Sequence, residues 1–106
     1  MFRVLEVSIR MIEELRAPIA PLQGRDRALY QQIRRAASSV ALNIAEGNRR
    51  HGRDRRQFFR IAAGSVAETR TALRVAQAWG DLDAERIAPA LSELEDVQRM
   101  LHPLTR

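Results

Sequence analysis

Between Arg49 and Arg60 the chain carries six arginines, Arg49, Arg50, Arg53, Arg55, Arg56 and Arg60, offset only by Asp54. Guanidinium groups at this density suit bidentate contacts to phosphate oxygens, and such contacts hold a polyanion without reading its bases. His51 and Gly52 in the same stretch allow close approach of a backbone. The net charge is +5, and outside this segment twelve arginines match twelve acids, so the whole excess is focused in one place. A focused basic patch steers polyanions, whereas dispersed charge mainly aids solubility. Aromatics for base stacking are scarce: Phe58 and Phe59 read as core, Trp79 as a packing or interface residue, and Tyr30 as a surface one. The competing reading is a solvated turn whose arginines pair with acids of neighbouring helices or subunits, such as Glu93, Glu95 and Asp96. Every basic residue is arginine and none is lysine, which fits either phosphate recognition or a GC-rich genome.

A second polar group comprises Asn43, Glu46 and Glu68, with His51 nearby in sequence. In a carboxylate bundle such residues could hold a metal, but no Glu-x-x-His pair occurs. A structural network is the better reading. A carboxylate at position 46 is unfavourable beside a helix C-terminus and therefore calls for a cationic partner such as Arg34, Arg35 or Arg60, while Asn43 satisfies backbone groups within or between subunits. No Ser-His-Asp constellation or Gly-rich phosphate loop is present, so a hydrolase is disfavoured. The expectation is a protein without enzymatic activity, cofactor or metal.

The elements that must position these residues are helices. The 106 residues, 45% hydrophobic and only 5% aromatic, form one domain, and abundant alanine suits closely packed helices. Cysteine is absent, which excludes disulfides and thiolate metal sites. No run approaches the ~18 apolar residues of a membrane span, and Arg3, Glu6 and Arg10 interrupt any signal-like segment; the expectation is a cytoplasmic protein. Apolar periodicity predicts four helices over about 2–17, 26–46, 54–79 and 83–102. The first carries Phe2, Leu5, Ile9 and Ile12 on one stripe, widened by Val4, Met11 and Leu15, and stops at Pro18. A surface loop with Pro18, Pro21 and Gly24 leads to Asp26, an N-cap for the second.

The second helix points Leu29, Ile33, Ala37, Val40 and Ile44 inward and is expected to close at Gly47 in a left-handed C-cap. The third starts near Asp54 and ends before Gly80. The fourth starts near Asp81 or Asp83, with Pro89 implying a later start or a kink. Short connections make the expected architecture all-α: an antiparallel up-down-up-down four-helix bundle. Small residues, among them Ala37 on the second helix and Gly64 and Ser65 on the third, would let two helix backbones approach closely. Gly64 costs ~1 kcal/mol relative to alanine inside a helix, a cost that close packing would justify.

The strings QIRRAASSVALNIAEGNRR, FFRIAAGSVAETRTAL and AQAWGDLD resemble the bacterial four-helix bundle family first described as encoded by intervening sequences in 23S ribosomal RNA genes. The matching text spans about residues 32 to 84, and the first helix matches only in character. The resemblance implies a homo-oligomeric ring, commonly a pentamer. It also implies kinship with the accessory variability proteins of diversity-generating retroelements, pentameric barrels with a basic surface that bind nucleic acid and associate with a reverse transcriptase. NRRHGRDRR is richer in arginine than a typical member. Taken together, these features predict a ring whose arginines contact RNA or DNA without strong sequence specificity. The alternative is an assembly or adaptor module, for example for a reverse transcriptase, with no direct nucleic-acid role.

Overall fold

Twenty-one apolar side chains withdraw from solvent along one face of each long helix, joined by Leu22 and Leu82 from the connections, and that shared need to bury a stripe sets the architecture. The computed structural model describes all 106 residues. Its helices are α1 (Arg3–Ile19), α2 (Leu22–Arg25), α3 (Arg27–Asn48), α4 (Gly52–Ala78) and α5 (Ala84–Leu101), followed by a 3₁₀ turn over His102–Leu104. The four long helices form an all-α four-helix bundle with principal extents of 42 × 22 × 19 Å. The α3–α4 hairpin is the most extensively packed pair and α1–α5 the next.

Several local details differ from the periodicity reading. Pro18 lies inside the last turn of α1, where its missing N–H removes one bond near a terminus and leaves the rest of the helix intact. The following connection is not simply a surface loop: it contains α2, whose Leu22 is fully buried, close to buried Ile19. The core face of α1 is Val4, Val7, Met11, Leu15 and Ile19, while Ile9 is exposed. On α4, Phe59 and Ala62 turn inward beside Val66 and Leu73, while Ile61 is exposed. Asp83 caps α5 by accepting from Glu85 N at 3.1 Å, and the helix continues through exposed Pro89.

Glycines divide differently from the expectation. Gly47 lies within α3, which runs on to Asn48, and its φ is not positive; the left-handed glycine of this turn is Gly52, at φ 57°. A Cβ at Gly47 would sit 2.7 and 2.9 Å from Cε1 and Cδ1 of the buried Phe59 ring, so the ring leaves no room for a side chain there. Gly64, by contrast, is exposed with open space around it and serves no contact within the chain. The α3–α4 contact is made elsewhere by small residues: Ala37, Ala62 and Ser65 are buried, and Ser65 Oγ donates to Ser39 Oγ at 2.8 Å. Gly80, at φ 81°, closes α4, with Asp81 N bonded to Ala76 O at 2.9 Å.

Candidate nucleic-acid interface

The turn joining α3 to α4 separates the six clustered arginines into three roles. Arg55 faces inward. Its guanidinium lies 4.8 Å from the Phe59 ring centroid and 6.0 Å from that of Phe2, and it donates to the Gly47 carbonyl at 3.2 Å and the Asn48 carbonyl at 3.4 Å. A cation that satisfies the last carbonyls of a helix also complements its dipole. Arg55 therefore closes the turn and ties Phe2 to it.

Arg49 and Arg50 are engaged by Glu46, with Arg50 Nε donating to Glu46 Oε2 at 2.8 Å and Arg49 at 3.9 Å. The Arg50 hydrogen bond, the largest influence, outweighs the opposing effect of desolvation and, with smaller help from the charges of Arg49 and Arg50, holds the Glu46 carboxyl below its ordinary range. Glu46 thus has the cationic partner that its position demanded, though from the turn and not from Arg34, Arg35 or Arg60. Arg50 also covers the Phe58 ring at 5.2 Å.

Arg53, Arg56 and Arg60 make no ion pair. Arg60 Nε donates to the Thr105 carbonyl at 2.9 Å, which fastens the C-terminal turn to α4 and leaves its other N–H groups exposed. At 3.6 residues per turn, Arg56, Arg60, Arg70 and Arg74 share one face of α4. This stripe covers ~27 Å at 1.5 Å per residue and borders the groove between α4 and α5. Arg70 and Arg74 were missed because they lie beyond the dense cluster; the signal was spacing, since positions 4, 14 and 18 residues after Arg56 all return to its face.

Arg70 and Arg99, with His102 and Gln98, line a cleft of roughly 530 Å³ over an apolar floor of Ala63 and Leu101. Arg70 makes a loose 4.0 Å contact with Glu95, and Arg99 bonds Asp96. A third α5 acid, Glu93, meets Arg10 of α1 at 3.7 Å. Glu93, Glu95 and Asp96 therefore do not neutralise the turn.

Asn43, Glu46 and Glu68 do not converge. Asn43 Nδ2 donates to Ser39 O at 2.8 Å and Ser39 Oγ at 2.9 Å, extending the Ser39–Ser65 link along the hairpin seam. Thr69 Oγ1 adds a bond to Ser65 O at 2.7 Å. Glu68 is exposed on a different face, beside a shallower groove with Leu29, Gln32 and Val75. His51 is the exposed N-cap of α4 without a side-chain cap bond. No three His, Asp or Glu side chains come together in the geometry of a metal site, and no helix is long and apolar enough to cross a membrane.

On its outer side the α3–α4 hairpin leaves large apolar residues in water: Leu42 is 69% exposed and Trp79 74%, with Ile61 and Val75 also open. Ile61, Val75 and Trp79 lie on one face of α4, roughly 100–140° around the helix from the arginine stripe.

Comparison with known proteins places this arrangement. A crystal structure from Bacteroides thetaiotaomicron, described as a protein of unknown function from the S23 ribosomal protein family, superposes with a TM-score of 0.86 over 97% of this chain and 98% of its own, at 17% identity. That likeness establishes the shared fold. No curated protein matches. The family model for the 23S rRNA-intervening sequence protein matches residues 3–103, and the chain belongs to that family.

Proposed function

We propose that the protein is a non-enzymatic, cytoplasmic nucleic-acid-binding bundle that assembles into a homo-oligomeric ring, most naturally a pentamer, and contacts RNA or DNA phosphates through an arginine surface. The observation that carries this reading is the α4 stripe. Arg53, Arg56 and Arg74 lack acidic partners, and Arg60 keeps free N–H groups beside them. A solvated charged turn would pair its arginines locally, as Arg49 and Arg50 do with Glu46, whereas Arg53, Arg56 and Arg74 are left for an outside anion. The large apolar side chains that α3 and α4 leave in water, Leu42, Ile61, Val75 and Trp79, support assembly, since exposed apolar surface on a small protein marks an interaction site. They point away from the stripe's own face, so copies can meet through them while the arginines stay exposed. Repetition around a ring would then multiply the basic surface.

Fluorescence anisotropy with a single-stranded RNA at several salt concentrations tests the reading. Affinity is expected to fall with salt at a log-log slope of about −0.7 per neutralised phosphate. Replacing Arg53, Arg56 and Arg74 together by glutamate is expected to weaken binding strongly and to flatten that slope by about 2, with an unchanged melting temperature. Arg55→Gln is expected to lower the melting temperature instead. Absence of binding at low salt, or a slope untouched by the triple variant, contradicts the proposal.

A further inference from the structure

We infer that the α4–α5 cleft is a pocket for a single nucleotide unit, with its phosphate at Arg70 and Arg99 and its base against Ala63 and Gln98. This rests on the nucleic-acid reading above and sharpens it, because a pocket of this composition adds base preference at one position of an otherwise sequence-tolerant surface.

Size is the first argument. At roughly 530 Å³ the cleft falls within the ~300–1,000 Å³ of small-ligand sites, larger than a lone phosphate needs and suited to a base with its sugar. Chemistry is the second. Two guanidiniums supply the phosphate contacts that arginine favours. The Gln98 amide offers both a donor and an acceptor to a base edge, and His102 adds a ring nitrogen at the rim. Half-buried Ala63, seated over the fully buried Leu101, offers an apolar contact to the face of a base, which every nucleotide has.

Position is the third argument. Ala63 and Arg70 are on α4 between Arg60 and Arg74, so a strand following the stripe passes over the cleft with arginines on both sides. The local acids do not close it. The Arg70–Glu95 contact is loose at 4.0 Å and the Arg99–Asp96 pair is exposed; exposed pairs of this kind contribute little, so a phosphate can displace either carboxylate. The Arg60 bond to the Thr105 carbonyl holds the turn that carries His102 in place.

Nuclear magnetic resonance titrations of the intact protein with the four nucleoside 5′-monophosphates and with inorganic phosphate test the inference. At least one monophosphate is expected to bind on the order of tenfold or more tightly than phosphate, shifting the Gln98 side-chain amide and the amides of Ala63 and His102. Ala63→Leu fills the floor without changing charge and is expected to weaken nucleotide binding at least about tenfold, while Gln31→Ala, on the exposed face of α3, leaves it unchanged. If Ala63→Leu disturbs folding, Gln98→Ala provides the same reading, with the difference among the four nucleotides expected to shrink. Monophosphates no tighter than phosphate, or binding insensitive to both cleft variants, overturn the inference. If single-stranded RNA still binds with salt dependence in that case, only the pocket falls; if RNA binding is also absent, the nucleic-acid reading falls with it.

Discussion

Glu46 and Gly47 are adjacent in α3, and each is explained by one neighbour. Glu46 has a native carboxyl held below its ordinary range, chiefly by the Arg50 hydrogen bond. A depressed native value means that the folded state binds protons less readily than the unfolded chain. The pair's contribution is then present above the ordinary carboxylate range of about 4 and is lost as pH falls through the lower native value. Urea unfolding at pH 7 and near pH 3 is expected to show Glu46→Gln less stable than the parent at the higher pH, with the gap closing at the lower. An equal gap at both would mean that the carboxylate's charge plays no part. Gly47, for its part, is held by a clash. Gly47→Ala gains up to ~1 kcal/mol in helix propensity but drives a Cβ to 2.7 Å from a fully buried phenylalanine ring, and overpacking costs ~1–3 kcal/mol. A net loss in melting temperature is expected.

At the scale of elements, the α3–α4 hairpin is joined by small residues and a polar seam, not by glycine at every close point. Gly64 sits mid-helix in open space, so Gly64→Ala removes backbone freedom from the unfolded chain without a steric penalty. A gain of about 0.4–1 kcal/mol is expected, visible by calorimetry as a rise of a few degrees. A loss would show that a second copy packs against this position. The turn between the helices is equally specific. Arg55 uses its charge on the carbonyls of α3 and its plane on two aromatic rings, so the most arginine-rich segment spends part of its charge on its own closure.

For the whole molecule, charge and apolarity are sorted onto different sides. The α4–α5 side carries the arginine stripe and the cleft, whereas the outer α3–α4 side carries Leu42, Ile61, Val75 and Trp79. Cyclic oligomers need a surface that recurs around the ring, and this apolar side is the candidate for it. Light scattering on the purified protein is expected to give a mass near five times the 12.1 kDa chain. Val75→Asp with Trp79→Asp is expected to reduce it to that of one chain without loss of helicity. A single-chain mass for the parent would refute the ring and leave the arginine stripe unaffected.

The sequence by itself determined the helical class and the bundle, because apolar spacing at three and four residues leaves no other way to bury those stripes. It also determined the Asp26 cap, whose Oδ1 accepts from Leu29 N at 3.0 Å, and the Gly80 stop, since both are local chemistry of the backbone. Only tertiary structure decided which of two adjacent stripes on α1 and α4 faces inward, because periodicity gives a direction around a helix and not the position of its neighbours. The same limit hid the reason for Gly47, which lies in a ring twelve residues away. It also hid the division of the arginines: charge can be counted along a chain, but whether a guanidinium is spent on a carbonyl, a carboxylate or solvent depends on what the fold brings beside it. Arg70, Arg74 and Arg99 entered the site for that reason, and Arg55 left it.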